Sequence, residues 1–188
     1  MRKNLLMLFA SAVALAAVPA FAQNASPKML ASVPQAVAPG CGAKSVKFEV
    51  KTEKGQHPFP DPATGKALVY FIEDDSQYHA SPKPTMRAGV DGQWMGATHG
   101  SSYFYFEVTP GGHHLCTNWG ILGRTAYPSA LRFTAEAGKS YFFRVQNTWI
   151  YPKDANTAID KSEFKPIEPD QGEVLASQFK FAISHVRR

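Results

Sequence analysis

VDGQWMGATHGSSYFYFEVTPGGHHLCTNW, Val90 to Trp119, decides how this chain is read. Asp91-Gly92 is a dipeptide suited to the positive φ angles of a two-residue hairpin turn. From Ser101 to Val108 the residues alternate, with Phe104, Phe106 and Val108 on one face and Tyr103, Tyr105 and Glu107 on the other. That period of two belongs to a strand. Pro110 pre-sets φ and Gly111 accepts a positive φ, as a type II turn requires. HHLCTNW, His113 to Trp119, then reads as the returning partner strand of a meander.

The same texture extends both ways. In SVKFEVK, Val46, Phe48 and Val50 alternate with Lys47, Glu49 and Lys51, a strand with one wet face. Ala67 to Ile72 is apolar at every position, as expected of a central strand covered on both sides. Met86, Ala88 and Val90 lead into the hairpin, Leu131 and Phe133 belong to a further strand, and Tyr141, Phe143 and Val145 alternate after the AEAGK turn. The stretch from Asp74 to Pro84 is read as a polar loop. Near the end, Asp170 with Glu173 three residues later has the pattern of a helix-capping box. Leu175, Phe179 and Ala182 then share a face at helical spacing. The expected fold is mainly β, a two-sheet antiparallel β-sandwich of about seven or eight strands with one short C-terminal helix.

The first 22 residues carry Arg2 and Lys3, an apolar run from Leu5 to Val18 and the small triplet AFA ending at Ala22. This is the layout of a cleaved export signal. The apolar run is short for a membrane span, which needs about 20 residues, and no cysteine follows the cut for lipid attachment. No transmembrane segment is therefore expected after cleavage, and the product is expected in the periplasm or secreted. Residues 23–43, rich in Ala, Pro and Ser, read as a flexible leader. Residues 44–188 read as one domain. Without Arg2 and Lys3 the chain holds 18 basic and 15 acidic residues, a net charge of +3. The basic residues are scattered, so no nucleic-acid partner is expected.

Taken together, ALVYFIE, VDGQWMG, GSSYFYFEVTPGGHHL and AGKSYFFRVQ resemble the bacterial DUF2846 family, a domain of unknown function found in exported and lipoprotein-like chains. The resemblance runs from Ala67 to Phe181. The VDG and PGGHHL core is also similar to the PEGA motif of surface-associated β domains. The motifs shared with the family are architectural: turn residues and packed aromatics. The resemblance implies no catalytic residue.

Two cysteines in an exported chain point to one disulfide, Cys41 to Cys116, the alternative being a buried free Cys116 with Cys41 exposed. His113 and His114 beside Cys116 raise the question of a metal. On a strand, however, His114 and Cys116 face one way and His113 the other, and a zinc site needs three or four convergent ligands. His57, His79 and His99 would have to come from loops. No metal and no cofactor are expected; the competing reading is a metal-binding protein or hydrolase around His99, His113 and His114. No G-x-S-x-G motif is present. Ser101 and Ser102 read as outward strand residues, and Asp74-Asp75 as a solvated pair in a loop. The remaining candidates are Trp94, Trp119, Trp149 and Tyr151, near turns and strand ends, where aromatics stack on sugars or anchor a partner protein. The expected function is non-catalytic binding of an envelope component or protein partner, with a carbohydrate- or peptidoglycan-binding module as the alternative.

Overall fold

Ala67–Tyr78, the second strand (β2), organises the molecule. In this computed structural model, which describes residues 41–55, 59–121, 124–151, 153 and 157–187, it lies between two other strands and is covered on both faces. Residues 1–22, expected to be an export signal, residues 23–40 of the expected leader and His57 lie outside the described residues. Val69 and Phe71 enter the main core with Phe104, Phe106, Leu115, Phe143 and Val145. Leu68, Tyr70 and Ile72 enter a second core with Tyr103, Phe142 and Ala176. The uninterrupted apolar run has this two-sided burial as its cause.

The remaining elements are β1 (Phe48–Glu53), β3 (Thr85–Val90), β4 (Gln93–His99), β5 (Ser102–Val108), β6 (Gly111–Ile121), β7 (Arg124–Ala135), β8 (Ser140–Ile150), β9 (Ile159–Ile167), α1 (Pro169–Gln178) and β10 (Lys180–Val186). They form a six-stranded sheet in the order β1-β10-β5-β2-β8-β9 and a four-stranded sheet in the order β4-β3-β6-β7. The fold is the expected two-sheet sandwich with one short helix. Two of its pairings, β10 with β5 and β2 with β8, are parallel.

The hairpin at Asp91-Gly92 forms as read, with φ of 50° and 87°. The meander does not. β5 belongs to the large sheet, pairing with β2 and β10, while β6 belongs to the small one, pairing with β3 and β7. Thr109-Pro110 therefore crosses between sheets, as do the links from β4 to β5 and from β7 to β8. Alternation identifies a strand and its wet face but carries no information about its partner.

The helix also differs from its reading. Its N-cap is Glu168 rather than Asp170, with no side-chain capping bond. Pro169 takes the first helical position, where its fixed φ is preorganised and its missing N–H is not needed. Phe179 closes the helix, and Ala182 lies on β10, not on a helical face. The chain leaves the helix because Lys180 and Phe181 pair with Ser102 and Tyr103 of β5. Among the described residues, no helix is long and apolar enough to cross a membrane.

Candidate functional site

Register places several chemically able residues at one end of the sandwich. Tyr78 lies beside Trp149, Glu73 beside Ser102, Lys180 beside Ser102, and Thr85 beside His99. β2 and β8 end here, and β5 and β10 begin here.

The interior of this end is polar, because β2 continues past its apolar run. Asp74 and Asp75 belong to the strand and are buried, not solvated in a loop. Glu73 has no exposed surface and shares the inward face of Val69 and Phe71. The Asn147 amide donates to Asp75 Oδ1 at 2.8 Å and to Glu73 Oε1 at 3.5 Å, and accepts from Ser162 Oγ at 2.9 Å. Glu73 Oε2 and Asp75 Oδ2 accept no hydrogen bond. Burial, reinforced by the charge of Asp75, pushes the Glu73 carboxyl well above the usual range; Thr98 and Gly100 act against this. Burial also raises Asp75, opposed by the Asn147 bond and the charge of Lys83. Asp74 turns to Arg144, 3.6 Å away, and accepts from the Ser76 N–H.

Outside this wall lies a groove of about 490 Å³ lined by Thr52, Lys83, His99, Gly100, Ser101 and Lys180 among others. The serines hold the loop that forms it. Ser101 Oγ accepts from the Asp75 N–H at 3.2 Å. Ser102 is fully buried, not outward, and its hydroxyl bonds the backbone N–H and carbonyl of His99. The His99 ring is 3.3 Å from Thr85 Oγ1, so these serines and this histidine do not form a nucleophile–base pair.

An aromatic series runs from buried Tyr78, behind Lys83, to the surface. The Lys83 ammonium donates to the Tyr78 carbonyl and sits 5.2 Å from the centre of its ring. Tyr78 packs against Trp149 at 6.2 Å, and Trp149 meets Tyr151 edge-on at 6.4 Å. Tyr151 is 69% exposed. Of the four aromatic candidates, this end brings together Trp149 and Tyr151. Trp119 is a core residue, 5% exposed, packed edge-on against Tyr78. Trp94 lies over the end of the leader: its Nε1 donates to the Ala43 carbonyl, and the Arg87 guanidinium stacks 4.5 Å from its ring. Trp119 is therefore withdrawn as a surface ligand residue, and the Trp94 indole is already engaged within the fold.

Cys41 and Cys116 are bridged, with Cα atoms 5.5 Å apart. Residues 41–43 are thus fastened to the small sheet rather than being part of a free leader. His113 and His114 belong to the opposite end of the molecule. The His113 ring lies 2.7 Å from Asp91 Oδ2 through Nδ1, and donates through Nε2 to the Thr109 carbonyl at 2.7 Å. The His114 N–H donates to Asp91 Oδ1 at 2.9 Å. Burial would raise Asp91, but the His114 N–H and the bond and charge of His113 prevail and hold its carboxyl below the usual range. These contacts tie the β3–β4 turn to β6. His99, the last residue of β4, pairs with Thr85 at the far end of β3, about 20 Å from Asp91 by strand rise, so His99, His113 and His114 do not converge. Among the described residues no group of three or more His, Cys, Asp or Glu is placed to hold a metal.

Glu73, Tyr78, Lys83, Asn147 and Lys180 did not emerge from the sequence as site residues. One available signal was Glu73-Asp74-Asp75 directly following a doubly buried run: acids that prolong such a strand enter its interior.

No curated protein and no solved structure matches the chain. A family model described as "Protein of unknown function (DUF2846)" matches residues 63–157, from just before β2 to just beyond β8. The Pro-Gly crossing, the Asp91-Gly92 hairpin and the aromatic strands read in the sequence all fall inside that span, and the chain belongs to the DUF2846 family.

Proposed function

We propose that this protein is an exported, non-catalytic binding domain of the periplasm or extracellular space, which engages a protein partner of the cell envelope through Trp149 and Tyr151. The observation that carries this reading is Tyr151 standing 69% exposed on a Trp149 that is itself backed by Tyr78. A large aromatic held rigid from behind loses little entropy on binding and serves well as a hot spot. The exposed Tyr151 ring meets the partly buried Trp149 ring at 78° rather than lying in one plane with it, which favours insertion into a protein pocket over a flat platform for sugar rings. The N-terminal segment and the Cys41–Cys116 bridge support an oxidising compartment.

The test is photo-cross-linking in cells, with a benzophenone amino acid at position 151 and, as a control, at position 174, where Val174 is 54% exposed on the helix. A discrete protein adduct specific to position 151 is expected. Equal labelling from both positions, or retention of the pure protein on insoluble peptidoglycan that Trp149→Ala abolishes, would overturn this reading in favour of non-specific contact or a glycan ligand.

A further inference from the structure

The groove beside the aromatic end has a chemistry of its own. Lys83 from the loop before β3, His99 from the end of β4 and Lys180 from the start of β10 line it, Thr52 and Ser101 add hydroxyls, and among its described lining residues none is acidic. We propose that this groove takes carboxylate side chains, so that the partner segment bound here is an acidic peptide. This rests on the reading of the Trp149–Tyr151 surface given above and adds the charge of what it binds.

Four observations carry it. The groove, about 490 Å³, lies within the size range of ligand sites, roughly 300–1,000 Å³. Its wall is fixed, because the Asp75 N–H holds Ser101 and Ser102 holds the backbone of His99. Its charges are lysine ammonium groups without an arginine fork, and the helix end that borders it is a C-terminus, at Gln178 and Phe179. Carbonyls at that end oppose any anion, a dianion such as phosphate more strongly than a single carboxylate, so the attraction comes from Lys83 and Lys180. Finally, the groove and the aromatic surface lie at the same end of the sandwich, linked through buried Tyr78. Lys83, Tyr78, Trp149 and Tyr151 follow one another at 5.2, 6.2 and 6.4 Å. An extended peptide, at about 3.3–3.6 Å per residue, spans that path in roughly five residues. The geometry therefore calls for acidic residues about five positions from an apolar anchor.

The probe is a fluorescent peptide carrying two glutamates and, five residues on, a leucine, beside its glutamine counterpart, with inorganic phosphate and polygalacturonate as competitors. Binding is followed by anisotropy on the disulfide-bonded protein. The glutamate peptide is expected to bind at least tenfold more tightly than the glutamine peptide, and to weaken as salt is raised. Lys180→Gln, at an exposed position, should reduce that preference severalfold, and Lys83→Gln with Lys180→Gln should abolish it. Tyr151→Ala should weaken both peptides while leaving their ratio unchanged. Equal binding of the two peptides, or no binding of either, would overturn the carboxylate groove and leave the position-151 adduct as a separate test of the aromatic surface. Displacement by phosphate or polygalacturonate at concentrations where free glutamate has no effect would overturn the peptide assignment. A glutamate preference without any adduct from position 151 would uphold the groove and overturn the aromatic reading alone.

Discussion

Glu73 and Asp75, two positions apart on β2, are joined by one amide: Asn147 donates to both from β8. Two carboxyl groups held this close inside a sandwich do not both ionise without strong repulsion. The nearest cations form no ion pair with either carboxyl: Arg144 turns to Asp74, and Lys83, whose charge only partly offsets the burial of Asp75, gives one N–H to the Tyr78 carbonyl. Folding therefore favours a bound proton on this pair.

The consequence for stability has a definite sign. Both carboxyls are raised in the folded state, so their contribution is fully present below the ordinary carboxylate range and is lost as pH rises through the raised values. Glu73→Gln removes the titration while keeping the shape. At neutral pH it should raise stability by about 1 kcal/mol, or roughly 2–4 °C in Tm for a chain of this length. Thermal melts between pH 4 and 9 would show the gain shrinking to nothing at the acid end. A uniform loss of stability at all pH values would contradict the shared proton.

Asp91 has the opposite dependence. Its carboxyl is held below the usual range by His114 and His113, so its contribution is present above that range and lost as pH falls through the depressed value. Asp91→Ala also places a Cβ-bearing residue with no side-chain hydrogen bond at φ 50°. A loss of about 1–2 kcal/mol at neutral pH is expected in urea titration, shrinking toward acid. Asp91→Asn should lose less, since asparagine tolerates this conformation.

The disulfide closes a loop of 75 positions. In the chain-entropy account that stabilises the fold by about 4.5 kcal/mol. Reductant, or Cys41→Ala together with Cys116→Ala, should lower Tm by roughly 10 °C or more. Trp94 fluorescence should change with it, because its ring packs on Gly42 next to the bridge.

Gly172 reverses the usual expectation for a helix. Replacing a mid-helix glycine by alanine ordinarily adds up to about 1 kcal/mol of stability. Here the new Cβ would lie 2.3 Å from Phe142 ring carbons, since α1 sits directly on β8. Gly172→Ala should instead destabilise by about 1–3 kcal/mol, measured by denaturant unfolding. Gly172→Ala combined with Phe142→Leu should recover part of that loss.

What the sequence made legible follows the range of its signals. Period-two alternation placed Phe104, Phe106 and Val108 inside and Glu107 outside, and the β3–β4 turn announced itself in two residues. Pairing was not legible, because the links between β4 and β5 and between β5 and β6 are as short as hairpin loops yet change sheets. The site was less legible still. Trp149 and Tyr151 stood out by residue type alone, but Lys83, Asn147 and Lys180 are ordinary residues made relevant by strands far apart in the chain. Ser102 and Asp75 were misplaced because polarity was taken for exposure, where the strand continued inward.

β10 lies between β1 and β5, so Lys51 finds its register partner, Ile183, 132 positions later. The first strand of the large sheet cannot take its place until the last one has been made. β3 and β4 can pair as soon as they emerge, but β1 and one flank of β5 must wait, open, for β10 to arrive. Pairings this distant in sequence are slow to find. The domain is therefore completed late in the order of its own synthesis, and the interval before that is when an incomplete chain most needs shielding from its neighbours.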